Sequence, residues 1–452
     1  MQRGMNQLSK WAAAGVLLAL LLGLGMRFVW PDDIEYKQDE IYSFTRTRNF
    51  LAGAADPGSS PWLGMPTSKG FANPGMSLWV FYGLGAVFGT ETPPALARGV
   101  QACNAAALLL LAAFAWRAFV GREREWWLWA VALAAVNPFA VIFERKIWPP
   151  SVLPLLMLLF LMSWRRRSTP WGAVLWGASG AIAGQIHLAG FIYVAAFVLW
   201  TISYDRARAA WKWWAAGSMA AALPMLPWLR YMATADHAGE WSGAALLAWW
   251  RPFTARFWID WVTEPFGLGL EYFLGPDFYA FLRHPVVGGF ETFGVAVLQA
   301  VSILLGLWML GSAGLRAWND RAQWREKWKA GQGVFTEAAL QAGFLFVGII
   351  LTVSCLRFER HYLAVAYPLL MLWTARLGLS FDATGRAAVA GRMLLAALVA
   401  TNALTCMALL AFIHVNGGAP GGDYSKSYAR QLQESGSGIS PRGRVSEPGK
   451  PD

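Results

Sequence analysis

Long apolar runs recur along the whole chain, and they constrain its fold more than any other feature. A helix that crosses a membrane needs about 20 mostly apolar residues, and runs of this kind occur from Trp11 to about residue 412. Of the 452 residues, 56% are hydrophobic and only 14% are charged, whereas a soluble domain carries about 25% charged residues. The sequence therefore predicts an all-α integral membrane protein, a polytopic bundle of about eleven transmembrane helices with juxtamembrane helices at its outer face.

The first apolar run has the length of a membrane anchor. No small-residue cleavage site follows Met26, so we predict an uncleaved anchor rather than a secretory signal. A shorter apolar segment, 74–88, is predicted to lie on the membrane surface. The runs that we assign as spans cover roughly 11–30, 95–117, 126–143, 147–163, 170–186, 188–201, 213–229, 290–315, 334–355, 361–378 and 388–412.

The distribution of Lys and Arg determines the predicted orientation. With 74–88 on the surface, the inner segments carry 19 Lys and Arg residues and the short outer links carry 4. If 74–88 crossed the membrane, every later loop would change sides and the basic run 165–167 would face outward. Because positive residues are enriched in cytoplasmic loops, we predict a bacterial inner-membrane protein with a cytoplasmic N-terminus. The regions 31–94 and 230–289 and the C-terminal tail then lie on the periplasmic side.

The predicted membrane domain covers residues 1–414, and the composition changes after it. The tail, 415–452, is rich in Gly, Ser, Pro and mixed charge, which predicts disorder. Two aromatic segments of the outer regions, 244–250 and 266–281, are too short to cross and favour the bilayer interface. The net charge of +11 does not indicate nucleic-acid binding, because the basic residues lie in loops between apolar runs.

The cysteines give no sign of a cofactor. Cys103, Cys355 and Cys406 lie in separate apolar runs, with neither the pattern of a disulfide framework nor metal-ligand spacing. We therefore predict no metal site and no required cofactor. A divalent metal is compatible with the sequence but is not indicated by it.

Ionisable residues gather at the outer ends of the predicted spans, whereas the span interiors contain almost none. Ion-coupled transporters tend to carry buried charges near mid-membrane, so this pattern disfavours transport. The first cluster is Asp39-Glu40, shortly after the first span. Asp39 could be the N-cap of a helix with Glu40 in its first turn, or it could be a general base at the outer face.

Three further clusters lie at hinges between spans. The hinge 144–146 is either interfacial charge beside an aromatic anchor or part of a site, and His187 is either a hydrogen-bonded turn residue or a ligand. The link 357–362 has three cations among six residues on the side where cations are sparse, which favours an anionic partner over a solvated loop. The candidate substrate-binding residues are Glu144, Arg145, Lys146, His187, Arg357, Arg360, His361 and Tyr362.

Together the clusters offer carboxylates and cations beside lipid, which suits sugar transfer from a lipid-phosphate donor. The acceptor hydroxyl needs a base, and the transition state at the anomeric carbon resembles an oxocarbenium ion. The phosphate leaving group departs without an acid when cations stabilise its charge. The sequence therefore predicts a glycosyltransferase with Asp39 and Glu40 as its catalytic candidates.

Four motifs occur in order within residues 10–375, each near the outer end of a span. They are Asp39-Glu40, Asn73-Pro74 through Phe88-Gly89 and Arg98, Asn137-Pro138 through Glu144-Arg145, and Arg360-His361-Tyr362 through Tyr367-Pro368. In kind and order they resemble the C-type (GT-C) superfamily of membrane glycosyltransferases. The resemblance is strongest to the family 39-like branch, which contains protein O-mannosyltransferases and lipid A aminoarabinose transferases.

The resemblance implies a GT-C-like fold, a polyprenyl-phosphate-sugar donor, inversion at the sugar, and a glycan, lipid or protein acceptor. It also implies that Asp39 is the base with Glu40 beside it, and that Arg360 and Arg145 bind the donor phosphate. The chain departs from the family in two places. Many members carry an acidic residue where this chain has Trp148-Pro149-Pro150-Ser151, and many carry a Lys where it has Gln185 and His187. These departures leave the donor sugar and the detailed mechanism open.

Three other classes of protein remain as alternatives. A lipid-linked polysaccharide ligase or polymerase also uses basic outer loops, but it does not require carboxylates after the first span. A flippase or transporter would need a polar cavity within the spans. A non-catalytic membrane scaffold would keep the fold without the chemistry.

Overall fold

The computed structural model describes residues 10–54, 60–67, 71–234, 255–353, 358–379 and 385–436, and this part of the chain is mostly α-helical. In chain order its α-helices are α1 (Lys10–Phe28), α2 (Gln38–Leu51), α3 (Met76–Phe88), α4 (Pro93–Ala118), α5 (Gly121–Val136), α6 (Pro138–Phe143), α7 (Leu153–Arg165), α8 (Pro170–Ile186), α9 (Ala189–Tyr204), α10 (Trp211–Ala222), α11 (Leu226–Thr234), α12 (Arg256–Thr263), α13 (Glu271–Leu274), α14 (Asp277–Leu282), α15 (Gly294–Asn319), α16 (Trp324–Gln332), α17 (Phe335–Leu340), α18 (Val347–Val353), α19 (Leu369–Gly378), α20 (Gly385–Asn416) and α21 (Tyr428–Gly436).

Shorter elements join these helices. A π-helix, Gln341–Phe346, links α17 to α18, and 3₁₀ helices cover Pro149–Val152, Leu223–Met225, Glu264–Phe266, Arg321–Gln323 and Arg360–Ala366. The strands form three antiparallel pairs: β1 (Leu63–Pro66) with β2 (Ala72–Pro74), β3 (Val286–Val287) with β4 (Phe290–Glu291), and β5 (Gly418–Ala419) with β6 (Ser425–Lys426).

Five helical segments in the described ranges are long and apolar enough to cross a membrane: Trp11–Phe28, Pro93–Ala118, Gly294–Asn319, Phe335–Val353 and Gly385–Asn416. The protein is therefore an all-α membrane protein, but the eleven predicted crossings are not confirmed. Three of the other predicted spans are interrupted at Pro138, Pro224 and Pro368. A proline removes a backbone donor and clashes with the preceding turn, so a continuous helix does not form through these positions.

The centre of the described bundle is α5, in which every residue from Trp127 to Val136 is buried. It packs against α1, α4, α19 and α20. Gly23 of α1 allows a close approach to α5, because a Cβ at this position would lie 2.3 Å from the carbonyl oxygen of Ala135. One turn later, Arg27 donates a hydrogen bond to the same carbonyl oxygen at 2.7 Å. The contact between α1 and α5 therefore fixes where the chain leaves α1.

The prediction that the tail is disordered is wrong for residues 415–436. After α20 this segment forms the β5–β6 hairpin and α21, which we call the C-terminal strap (417–436). The Tyr428 and Ala429 amides donate to the carbonyl oxygens of Ile34 and Asp32 at 3.0 and 2.9 Å. The strap is thus ordered by backbone hydrogen bonds to a distant loop, which its polar composition does not reveal. Residues 437–452 lie outside the described ranges.

The aromatic segment 266–281 also differs from the prediction that it lies at the bilayer interface. Phe266, Phe273 and Phe281 are each at most 1% exposed and belong to the core of the protein. They are buried because α13, α14 and the preceding 3₁₀ helix fold back onto the helical bundle, where Phe273 contacts Phe139 and Phe143. The second aromatic segment, 244–250, lies outside the described residues.

Cysteine labelling tests the predicted orientation. Ser168 follows α7 and Ser435 lies in α21, and both are exposed. We expect an impermeant maleimide to label Ser435→Cys in intact cells and to label Ser168→Cys only after permeabilisation, because the basic run 165–167 belongs on the cytoplasmic side. The unsubstituted protein is the control for its own three cysteines. Labelling of Ser168→Cys but not Ser435→Cys in intact cells would reverse the orientation.

Candidate active site

The first turn of α2 carries the two catalytic candidates, and its N-cap is Lys37 rather than Asp39. The Lys37 amide donates to the Glu40 carboxylate at 3.3 Å, so Glu40 satisfies a backbone donor at the start of the helix. The alternative that Asp39 is an N-cap is therefore wrong. Asp39 instead accepts a hydrogen bond from the side chain of Trp148, in the hinge after α6.

Acidic and basic side chains alternate across the site. Glu35 is buried and pairs with Lys146 and, at 2.9 Å, with the Lys37 ammonium. The Lys37 ammonium also pairs with the Asp423 carboxylate of the C-terminal strap at 3.0 Å. The Lys146 side chain is 3% exposed, whereas those of Lys37 and Asp423 are 33% and 40% exposed. The charged side chains therefore extend from the buried Lys146, in the hinge, to the partly exposed Lys37 and Asp423, beside the C-terminal strap.

Burial sets the protonation of the carboxyl pair. It raises the pKa of the Asp39 carboxyl, while the hydrogen bond from Trp148 and the positive charges of Lys37 and Lys146 lower it. For Glu40, burial and then the negative charge of Glu35 raise the pKa to about 8. Burial therefore favours the protonated form of Glu40 at neutral pH, and Asp39 is a stronger base than an exposed aspartate.

The raised pKa of Glu40 predicts a pH-dependent stability. The folded protein binds this proton more tightly than the unfolded chain, so the stabilisation is complete below about pH 4.5 and is lost as the pH rises through about 8. Glu40→Gln cannot ionise and still accepts the Lys37 amide. We expect its midpoint of thermal unfolding, relative to the unsubstituted protein, to rise between about pH 5 and about pH 8.5. Glu91→Gln, at an exposed residue before α4, is the control. An equal difference at both pH values would contradict the assignment.

Two of the predicted substrate ligands hold α1 in position instead. Glu144 accepts an ion-paired hydrogen bond from Arg27 at 2.6 Å, and both side chains are buried. Arg145 donates to the carbonyl oxygens of Met26 and Trp30 at 3.0 and 2.9 Å, at the C-terminal end of α1. Cations are favourable at such helix ends. Within the hinge 144–146, Lys146 is the residue that pairs with Glu35, beside Asp39 and Glu40.

Arg360, the predicted phosphate ligand, is also occupied by protein groups. Its Nε donates to the Glu264 carboxylate at 3.2 Å, and its two terminal nitrogens donate to the carbonyl oxygens of Gly269 and Leu268 at 3.1 and 2.9 Å. The guanidinium stacks over the ring of Phe139 at 4.1 Å. Burial raises the pKa of Glu264 to about 7, and Arg360 opposes this shift. This conformation therefore gives Arg360 a structural role.

Three of the remaining candidates form a group of rings with Trp148, which is not among the predicted site residues. We call this group, beside Asp39, the ring cluster (Trp148, His187, His361 and Tyr362). The ring centre of His361 lies 4.6 Å from that of Trp148, 5.6 Å from that of His187 and 4.7 Å from that of Tyr362. The residues come from three separate hinges of the bundle. Arg357 lies outside the described residues.

Several residues of the site are absent from the sequence prediction. Glu35 and Lys37 adjoin Asp39-Glu40 in an acidic loop, so their position gives a usable signal. Asp423 and Glu264 give none, because each meets its partner through contacts between distant parts of the chain. Asp423 also lies in a segment whose composition predicts disorder.

Comparisons with known protein families, with curated proteins and with solved structures find no match to this chain. Among the described residues, no group of three or more His, Cys, Asp and Glu side chains is arranged to hold a metal ion. The residues that meet around Asp39 therefore provide, through their chemistry, the basis for inferring a function.

Proposed function

We propose that this protein is a glycosyltransferase of the bacterial inner membrane, with a GT-C-like bundle of about eleven transmembrane helices and its site at the periplasmic face. It transfers a sugar from a polyprenyl-phosphate donor to a hydroxyl of a glycan, lipid or protein acceptor. The observation that carries the proposal is a half-buried Asp39 carboxylate with raised pKa, beside the two lysines that share Glu35.

The chemistry needs one base and a place for the leaving phosphate. The acceptor oxygen attacks the anomeric carbon, and Asp39 takes the hydroxyl proton. The bond between the anomeric carbon and the phosphate oxygen breaks, and its electron pair leaves with the phosphate. The ammonium group of Lys37 stabilises the charge that develops on this oxygen, and the buried Lys146 pairs with the neighbouring Glu35. Attack from the face opposite the leaving group inverts the anomeric configuration.

The protonation of Glu40 supports this arrangement. A second ionised carboxylate next to Asp39 would repel the phosphate, and burial raises the pKa of Glu40 to about 8. The raised pKa favours the neutral form of Glu40 at physiological pH. Glu35, Asp39 and Asp423 are the other carboxyl groups that lie beside Lys37 and Lys146.

The proposal assigns the phosphate to different cations from those that the sequence resemblance implies. Arg145 and Arg360 donate to protein carbonyl oxygens, and each is at most 5% exposed. Lys37 is more accessible, and its outer partner is the carboxylate of Asp423. A phosphate is an equivalent anionic partner and replaces Asp423 on the Lys37 ammonium when the donor binds.

Substitution of Lys37 tests this function. Lys37→Gln keeps the backbone amide that caps α2 but removes the charge, and Lys146 remains to pair with Glu35. In lipid vesicles supplied with an acceptor extract, we expect release of polyprenyl phosphate from a polyprenyl-phosphate hexose to fall about 10- to 100-fold, as for the loss of a charge-assisted contact. Lys212→Gln, at an exposed lysine of α10, is the matched control. Equal release by the two variants would show that Lys37 does not bind the phosphate. No release by the unsubstituted protein would show that the proposed function is wrong.

A further inference from the structure

The ring cluster has polar atoms for which the described structure supplies no partner. The Nδ1 atoms of His187 and His361 are buried, and neither makes a hydrogen bond within the described residues. Buried polar side-chain atoms are normally hydrogen-bonded, so two adjacent exceptions require an explanation. A bound ligand would provide the missing partners.

The position of the ring cluster connects it to the reaction site. The side chain of Trp148 donates to Asp39, and its ring contacts that of His361 at 4.6 Å. The Lys146 ammonium lies 5.3 Å from the centre of the Trp148 ring. Trp148 therefore lies between the charged groups, which suit a phosphate and a reacting hydroxyl, and an area lined by aromatic and imidazole rings.

The chemistry of this area matches a neutral sugar. Burial lowers the pKa of His187 to about 4, so its imidazole is uncharged at physiological pH. A neutral imidazole has one donor and one acceptor, as a hydroxyl group requires. A half turn of the ring exchanges Nδ1 with Cδ2, so the nitrogen can face either side. Trp148 and Tyr362 are partly exposed, and aromatic surface of this kind suits the carbon–hydrogen face of a pyranose, as expected of a small-molecule site with few polar groups.

We propose that the ring cluster binds the sugar of the donor and selects a neutral, hydroxyl-rich pyranose over a uronic acid or an amino sugar. This inference rests on the proposed function, since it places the anomeric carbon between the ring cluster and Asp39. The two imidazoles bond sugar hydroxyls, and Lys37 bonds the phosphate. Neither a carboxylate nor an ammonium group on the sugar finds an opposite charge within the ring cluster.

The test measures binding of short donor analogues to the purified full-length protein in detergent. The probes are citronellyl phosphate alone and citronellyl-phosphate sugars that carry glucose, mannose, galactose, glucuronic acid or glucosamine. We expect at least one neutral hexose to bind about 10-fold more tightly than plain citronellyl phosphate and than both charged sugars, the effect of one or two net hydrogen bonds.

Two variants test whether the imidazoles cause the tighter binding of the neutral hexose analogue. His361→Phe and His187→Phe keep a ring but lose the nitrogens, and we expect each to lower affinity for the preferred hexose analogue about 10-fold. Affinity for plain citronellyl phosphate should stay unchanged. His284→Phe is the matched control, because His284 packs against Phe412 away from the ring cluster. If a Phe variant does not fold, His361→Asn and the probe series on the unsubstituted protein still decide the question.

The remaining outcomes separate this inference from the proposed function. If plain citronellyl phosphate binds as well as every neutral hexose analogue, or a charged sugar binds best, the sugar assignment is wrong while donor binding stands. The assignment also fails if the Phe variants weaken plain citronellyl phosphate as much as the hexose analogue. If none of the probes binds, the proposed function itself fails.

Discussion

Replacement of Asp39 by Asn is expected to lower sugar transfer by about 100-fold or more, the usual effect of losing a general base. An amide cannot take the proton of the acceptor hydroxyl. The variant should nevertheless fold, because Lys37 is the N-cap of α2 and Glu40 accepts the capping amide. The amide oxygen of Asn can still accept the hydrogen bond from Trp148. Transfer is measured at matched protein levels, with a polyprenyl-phosphate hexose and an acceptor extract.

Two further variants identify which carboxyl group acts. Asp32→Asn, at an exposed residue of the same loop, should transfer at the unsubstituted rate. Glu40→Gln should retain much more activity than Asp39→Asn at neutral pH, since the pKa of Glu40 is about 8 and its carboxyl is already protonated. If Asp39→Asn transfers normally while Glu40→Gln is inactive, Glu40 is the base and the present assignment is reversed.

Replacement of Arg360 by Ala should have the largest effect on stability. It leaves Glu264 buried without its cation, and removal of one partner from a buried ion pair costs about 3–5 kcal/mol. It also removes the donors to the carbonyl oxygens of Leu268 and Gly269. We expect a marked fall in the midpoint of unfolding, measured on the purified protein by heat or by urea.

A double variant separates the ion pair from the rest of the contact. Arg360→Met with Glu264→Gln removes both charges and keeps most of the volume, so it should recover a large part of the lost stability. The Tyr367 hydroxyl, which donates to Glu264 at 2.6 Å, can still donate to the amide oxygen of Gln. If Arg360→Ala is as stable as the unsubstituted protein but binds donor poorly, the phosphate role that the sequence resemblance implies is correct.

The helices with uninterrupted apolar runs are the part of the fold that the sequence predicts well. The predicted spans 95–117 and 290–315 correspond to Pro93–Ala118 and Gly294–Asn319. Hydropathy is a local property, so a run of apolar residues identifies such a helix without knowledge of its neighbours. Prediction is weaker where a proline divides a run, as at Pro368, because the length of the run then exceeds the length of the helix.

For the candidate site, the sequence predicts which residues take part better than it predicts which of them are in contact. The sequence locates the clusters at the hinges, and the structure brings Asp39, Lys146 and the ring cluster together. The sequence does not indicate whether Arg145 or Lys146 pairs with Glu35, because adjacent residues in a tight hinge point in different directions. The pairing of Lys37 with Asp423 joins residues almost a chain length apart. No pattern in the sequence predicts such a contact.

Under the proposed function, the protein transfers a sugar from a polyprenyl phosphate to a hydroxyl, with Asp39 as base. The most direct test supplies vesicles containing the purified protein with a labelled polyprenyl-phosphate hexose of known anomeric configuration and an acceptor extract. We predict that the label enters an acceptor with inverted configuration, that one polyprenyl phosphate is released for each sugar transferred, and that Asp39→Asn abolishes both. An intact donor after incubation with the unsubstituted protein, or equal transfer by Asp39→Asn, would contradict the claim.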